Sequence, residues 1–238
     1  MKYLYSKIAD KIEKDIKDGE FGIHQKLPAE NELSFRFETS RLTIRKAIEE
    51  LQRRDLVVKD RNRGTFVMPP ETKKISSGLN GLYSFSEVAR RQHMKPGTVV
   101  LNLETARNIP DLVKKQLHLR GDEPVWKLER LRLGDGEPLT HEEIYLQKRF
   151  VPNLTKENAA TSLFEMIEKN ISIAYASQEL EAVILEGRIS KLLHNKAGEP
   201  TFLVHTTSYS ADGYPILHDE SYYRSDKYSF HNILYRHH

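Results

Sequence analysis

The sequence predicts an α+β protein in two parts, a small helical unit with a hairpin and a larger unit built on an antiparallel sheet. Three observations predict it. Apolar residues recur at helical spacing three times before residue 54. A pair of short apolar runs then flanks Arg61-Asn62-Arg63-Gly64. From residue 99 onward, β-rich runs alternate with short helical patterns and meet at Asp-Gly turns.

Tyr5, Ile8, Ile12 and Ile16 repeat at helical spacing and Gly19 ends the run, which gives a first helix. Pro28 suits the first turn of a second helix, where its missing N–H costs nothing, and Leu33 and Phe37 share one face. Thr39-Ser40 interrupts the pattern, and Ser40 is a good N-cap for a third helix. That helix turns Leu42 or Ile44, then Ala47, Ile48 and Leu51, inward. Residues 56–58 and 65–67 are short strands. Three helices and a basic-tipped hairpin make a winged helix-turn-helix.

The third helix opens on Arg41, Thr43 and Arg45, and cations at a helix N-terminus oppose the macrodipole. Such a turn is either a plain solvated basic face or the place where an outside polyanion supplies the negative charge. The second is how a helix-turn-helix meets the DNA major groove, and the flanking helix and hairpin favour it. Leu27-Pro28-Ala29-Glu30, Ser40-Arg41-Leu42-Thr43-Ile44-Arg45 and Arg63-Gly64-Thr65-Phe66-Val67 resemble, in order and rough spacing, the GntR family of bacterial transcription regulators. The resemblance implies that Ser40, Arg41, Thr43 and Arg45 contact phosphates and base edges, that Glu30 orients the arginines, and that Arg63 and Gly64 enter the minor groove. Two positions depart from the family pattern: Asn31 stands where arginine is frequent, and Asn62 where glycine is. Asn tolerates positive φ better than most residues.

At 238 residues the chain has room for two domains, and 38% hydrophobic with 30% charged residues suits a soluble protein. No run approaches the roughly 18 apolar residues of a membrane span, and the N-terminus reads as an amphipathic helix rather than a signal peptide. With no cysteine, disulfides and thiolate metal sites are excluded, and a cytoplasmic location is expected. The net charge is +3; residues 1–70 hold 15 Lys+Arg against 12 Asp+Glu, so the whole excess lies in the DNA-binding part. An excess this small leaves affinity to a local arginine face and to dimerisation, with steep salt dependence.

Pro69-Pro70 stops the wing, and a polar stretch follows. The expected division is a DNA-binding domain over 1–68, a linker over 69–78 and a second domain over 79–238. Ser84-Phe85-Ser86-Glu87 fits a capping box opening a helix to about Gln92. Strands follow at 99–106, 124–133, 138–146, 174–185, 201–210 and 214–223, with a last edge strand at 228–234. Helices fall at 110–117 and 162–169, and a helix or turn at 189–194. Glu123-Pro124, Asp135-Gly136-Glu137-Pro138 and His141-Glu142-Glu143 recur as Glu199-Pro200, Asp212-Gly213-Tyr214-Pro215 and His218-Asp219-Glu220. This is either a duplicated hairpin unit, with a site where the two hairpins meet, or the coincidence of common Asp-Gly turns.

Gly81 to Phe85, Glu129-Arg130-Leu131-Arg132, Asp135-Gly136-Glu137-Pro138, Ser162-Leu163-Phe164, Gln178-Glu179-Leu180-Glu181-Ala182 and Tyr223-Arg224-Ser225-Asp226-Lys227-Tyr228 are similar to the UTRA effector-sensing domain, which partners the helix-turn-helix in the HutC subfamily. The resemblance implies a chorismate-lyase-like antiparallel sheet with surface helices and a small-molecule pocket.

Arg130 and Arg132 continue the strand face of Trp126 and Leu128. Guanidinium groups in such a stripe need anions, either internal carboxylates or an anionic ligand held bidentately. The turns opened by Ser84 and Ser162 offer backbone donors to the same anion. In sugar-phosphate sensors of the resembling subfamily, the positions of Arg130, Arg132 and Ser162 hold the phosphate. Those of Ser84 and Phe85 line it, and those of Glu142 and Tyr223 face the sugar. Phe164 stands where amino-sugar sensors carry tyrosine. Residues 77–85 and 151–157 resemble the trehalose-operon repressors of the subfamily.

His141 and His218, each two residues from Glu143 and Glu220, suggest acid–base or metal chemistry, but no tight metal-ligand spacing, Gly-rich phosphate loop or nucleophile elbow accompanies them. No catalytic residue, metal site or cofactor is assigned. The expected protein is a repressor of a carbohydrate-utilisation operon. It binds a palindromic operator in double-stranded DNA as a homodimer, has no membrane partner, and answers to a small anionic effector, a phosphorylated sugar. The alternatives are the same regulator sensing a carboxylate metabolite, and an enzyme with a fused DNA-binding domain.

Overall fold

The computed structural model describes residues 3–60, 63–68, 74–77 and 82–230. They form two compact units, residues 3–68 and residues 74–230. Among the described residues no helix is long and apolar enough to cross a membrane.

The first unit runs α1 (Leu4–Lys17), α2 (Glu30–Arg36), α3 (Arg41–Arg53), β1 (Val57–Asp60), β2 (Gly64–Val67). Ile8, Ile12, Leu33, Ile44, Ala47, Ile48, Leu51, Val57 and Val67 make one core, each large side chain contributing roughly 1.5–3 kcal/mol on burial. Of the two candidates for the inward position on α3, Ile44 is buried and Leu42 is 61% exposed. Pro28 lies before the helix rather than in its first turn. Ala29 is the N-cap, and the Glu32 carboxylate accepts its N–H at 2.7 Å. Ser40 caps α3, its Oγ accepting from the Thr43 N–H at 3.2 Å. β1 and β2 pair antiparallel from Val57↔Val67 to Asp60↔Gly64. Gly64 has φ 111°, a conformation that calls for glycine, and a Cβ there would sit 2.5 Å from Lys26 Cε, at the movable end of that side chain. Arg61 and Asn62 of the wing turn lie outside the described residues.

The second unit runs β3 (Ile75–Ser77), α4 (Phe85–Arg91), β4 (Pro96–Thr105), α5 (Asp111–Gln116), β5 (Val125–Gly134), β6 (Glu137–Gln147), α6 (Lys156–Ala159), α7 (Leu163–Ile167), β7 (Ile173–Ile184), α8 (Gly187–Leu192), β8 (Pro200–Ser210), β9 (Pro215–Arg224), β10 (Tyr228–Phe230). Six strands form an antiparallel sheet in the order β4-β5-β6-β9-β8-β7. Read inward from its two edges the sheet runs β4-β5-β6 and β7-β8-β9, and α5 and α8 occupy matching places in β4-α5-β5-β6 and β7-α8-β8-β9. The two hairpins seen in the sequence therefore sit as a pseudo-symmetric pair, meeting where Glu143 of β6 faces Glu220 of β9.

Two differences from the sequence reading have local causes. Residues 75–77, expected within the linker, pair in parallel with β10, because Ile75 buries against Val88, Leu139 and Tyr228. Residues 69–73 and 78 of that linker, Gly81, and residues 231–234 of the last expected strand lie outside the described residues. α6 went unread because four residues are too short to show a period; Thr155 caps it, accepting from the Asn158 N–H.

Candidate functional site

In the first unit, the start of α3 faces solvent. Ser40, Arg41 and Arg45 are exposed and Thr43 is half-buried. Ser40 Oγ and Thr43 Oγ1 lie 2.9 Å apart. Arg45 donates to Glu30 at 3.2 Å, and Lys59 donates to the other Glu30 oxygen at 2.6 Å. The Lys59 hydrogen bond, with Arg45 behind it, holds the Glu30 carboxyl below its ordinary range. Glu30 thus fixes one cation from the helix and one from the hairpin. Lys26, Glu30, Arg41, Lys59 and Gly64 line a cleft of about 260 Å³ between helix and hairpin. Arg63 is exposed beside Gly64. Lys26 and Lys59 escaped sequence reasoning, since single lysines outside a motif carry no signal.

In the second unit, one sheet face carries Arg130 and Arg132 of β5, Thr140 and Glu142 of β6, and Asp219, Ser221 and Tyr223 of β9, in register across three strands. Alternation along each strand puts these on one side. Arg130 donates to Glu142 from Nη2 at 2.6 Å and from Nε at 2.9 Å, and from Nη1 to the Ala159 carbonyl at 3.1 Å. Arg132 reaches the same Glu142 oxygen at only 3.8 Å; Nη2 donates to Ser86 at 2.8 Å, and the guanidinium carbon lies 4.7 Å above the Phe85 ring centre. Two buried guanidinium groups therefore share one carboxylate.

The electrostatics follow from that count. Burial pushes Arg132 down to about 10, with Glu142 opposing and the neighbouring Arg130 charge adding to the fall. Burial also disfavours a charged Glu142, but Arg130 and Arg132 together outweigh it and hold that carboxyl low. Asp219 goes the other way, raised well above the usual carboxylate range by burial and by Glu142, while Ser221 Oγ donates to it at 2.9 Å. Asp219 and Tyr223 are half-buried on this face. Arg132 Nε and Thr140 Oγ1, cross-strand neighbours, are buried with no hydrogen-bond partner among the described residues. Unsatisfied buried donors on this scale call for a ligand or water.

The remaining residues singled out in the sequence take different places. Ser84 caps α4 in a full capping box with Glu87. Ser162, buried, caps α7 by accepting from the Glu165 N–H at 3.4 Å, one residue beyond the Thr161 carbonyl that faces Arg130. Phe164 packs against the core of Leu128, Ile144, Leu146 and Ile167. Tyr223 packs its ring at a tilt against Tyr228 and edge-to-face against Phe230. Ser86, Thr140 and Asp219 were missed. The echo could have found Asp219, which stands where Glu142 stands in the other hairpin.

Comparison with known proteins adds the following. The family model described as UTRA domain matches residues 91–229, and that described as bacterial regulatory proteins, gntR family, matches residues 4–67. The chain is 32% identical over 231 residues to the HTH-type transcriptional regulator TreR of Bacillus subtilis (strain 168), covering 95% of this chain and 93% of that one. It is 28% identical over 239 residues to the mannosyl-D-glycerate transport/metabolism system repressor MngR of Escherichia coli (strain K12), covering 99% and 97%. The crystal structure of possible transcriptional regulator YydK from Bacillus subtilis matches with a TM-score of 0.72 at 24% identity, covering 98% of this chain and 100% of that one; at that identity it speaks for the fold.

Proposed function

The chain belongs to the gntR family of bacterial regulatory proteins and carries a UTRA domain, and from that premise we propose that it is a repressor of a carbohydrate-utilisation operon controlled by a phosphorylated sugar. It works as a regulator in the cytoplasm, without a cofactor and without chemistry of its own. A homodimer binds a palindromic operator, with half-sites about one helical turn apart. Ser40, Arg41, Thr43 and Arg45 meet phosphates and base edges in the major groove. Arg63 and Gly64 enter the minor groove, and Glu30 holds Arg45 and Lys59 at the angle the backbone needs.

One observation carries the effector half of this reading. Arg132 is buried, shares Glu142 with Arg130, and keeps an unpaired Nε beside an unpaired Thr140 hydroxyl. A phosphate dianion supplies the missing charge and enough acceptor oxygens for both arginines. Glu142, Asp219 and Tyr223 accept or donate to sugar hydroxyls beyond it, and Phe85 and the turns at Ser84 and Ser162 close the anion's side. Phe164 adds apolar surface there without a hydroxyl. The name of MngR ties a relative to repression of a mannosyl-D-glycerate transport/metabolism system, which supports a carbohydrate operon as the target. Ligand then favours an arrangement of the dimer that spaces the recognition helices wrongly for DNA, with a coupling of roughly 1–3 kcal/mol.

A thermal-shift panel of phosphorylated sugars, free sugars and carboxylate metabolites tests this, because a ligand for the native state raises Tm by mass action. The expected result is a rise with one sugar phosphate and none with its dephosphorylated form. A rise confined to a carboxylate would replace the effector class and keep the regulator. Turnover of the bound compound would overturn the assignment as a regulator without catalysis.

A further inference from the structure

The opposite face of the same sheet carries a second cluster, which the proposed regulation does not use. His205 of β8 and His218 and Glu220 of β9 point to one spot, with one ligand-capable atom from each within 4.8 Å of the others. His205 Nδ1 lies 3.6 Å from a Glu220 oxygen, and His218 Nε2 lies 4.0 Å from the same oxygen. Both of those ring nitrogens are buried and have no hydrogen-bond partner among the described residues. His218 is 2% exposed, so no solvent answers for its Nε2.

The other nitrogen of His218 has a hydrogen-bond partner, and that of His205 faces a carboxylate beyond hydrogen-bond distance. His218 Nδ1 is 2.9 Å from Thr207 Oγ1. His205 Nε2 faces the Glu181 carboxylate at 3.6 Å. For His218 this is the pattern of metal-binding imidazoles, in which a hydroxyl, carbonyl or carboxylate takes the far N–H and so leaves the near nitrogen unprotonated and aimed at the ion. Metal–ligand bonds of about 2.0–2.2 Å set ligand atoms of a tetrahedron about 3.4 Å apart, so small side-chain rotations bring the three atoms onto one ion.

We propose that His205, His218 and Glu220 form a binding site for a divalent transition-metal ion of the zinc class, with two imidazole nitrogens, one carboxylate oxygen and a fourth ligand from outside the protein. Borderline-soft ions prefer imidazole, whereas calcium and magnesium take all-oxygen sets. Glu220 supplies one negative charge and Glu181 a second beyond His205, which balances the ion. Asp219 lies between His218 and Glu220 on β9, so an ion clamping those two side chains also fixes the strand whose other face lines the arginine recess. His141 and Glu143, the histidine–glutamate pair at the equivalent place in the other hairpin, form no such site: His141 Nε2 lies 2.8 Å from Glu129, which also pairs with Arg188.

Titration of the full chain with Zn2+ by isothermal calorimetry, with Co2+ as a spectroscopic stand-in, tests the site. The wild type is expected to bind one Zn2+ that His205→Gln and Glu220→Gln do not bind, each variant keeping the far-UV circular dichroism of the wild type. Co2+ is expected to give the intense visible band of a four-coordinate ion, lost in the same two variants. Thr207→Val keeps all three ligands and removes the partner of His218 Nδ1; it should weaken Zn2+ binding by about 10–100-fold. Equal stoichiometry and affinity in the wild type and both ligand variants, or no Zn2+ binding by the wild type, would overturn the proposal.

Discussion

Replacing Arg132 with methionine should stabilise the ligand-free protein while removing its response to effector. The fall of the Arg132 pKa from 12.5 to about 10 corresponds to about 3 kcal/mol against the charged form, at about 1.36 kcal/mol per unit. The side chain is 3% exposed, so solvent relieves almost none of it. The hydrogen bond to Ser86 returns about 1.5 kcal/mol. Methionine fills a similar volume, and replacing a poorly compensated buried charge by an apolar side chain is commonly neutral or stabilising. The net expectation is a gain of about 1–2 kcal/mol, or roughly 2–8 °C in Tm for a domain of this size. Trp126, the single tryptophan, lies in β5, so its fluorescence follows the second unit alone during urea or thermal unfolding. A variant that loses more than about 1 kcal/mol would refute the reasoning, because a residue whose removal costs that much is already satisfied by its protein partners.

Three further expectations concern the first unit. Ser40→Ala removes the cap of α3 and should cost about 1 kcal/mol by circular dichroism, with weaker operator binding alongside. Gly64→Ala forces a side chain onto φ 111° and against Lys26; it should destabilise the unit by about 1 kcal/mol or more and weaken operator binding beyond what the lost stability explains. The Glu30 carboxyl is held below 4.5 chiefly by Lys59, so its contribution is complete above the unfolded pKa and disappears as pH falls through the folded one. On acidification below about pH 4.5 the wild type should therefore lose more stability than Glu30→Gln, and parallel losses would show that the two cations gain nothing from the charge.

Local chemistry was what could be read from the amino acids. Apolar periodicity placed the helices of the first unit, Ser40 and Ser84 announced their caps, and the Asp-Gly turns located both central hairpins. Arg130 and Arg132 stood out because charge interrupted an apolar stripe. What stayed hidden depends on the neighbours that tertiary structure supplies. Of the two readings of the arginine pair, the internal carboxylate is present: Glu142 pairs with Arg130 at 2.6 Å and reaches Arg132 only at 3.8 Å. Ser86 became its partner through the docking of α4, which no spacing encodes. Likewise His218 was paired in the sequence with His141, its echo, whereas the sheet brings it to His205 across β8 and β9.

The claim that the arginine recess governs DNA binding is tested most directly by fluorescence anisotropy of a labelled operator, titrated with the sugar phosphate that raises Tm. Wild-type protein should release the operator as the ligand saturates, and Arg132→Met should bind the same operator with unchanged affinity and hold it at every ligand concentration. Release from Arg132→Met at the wild-type ligand concentration would contradict the account, since the signal would then reach the DNA without the buried arginine.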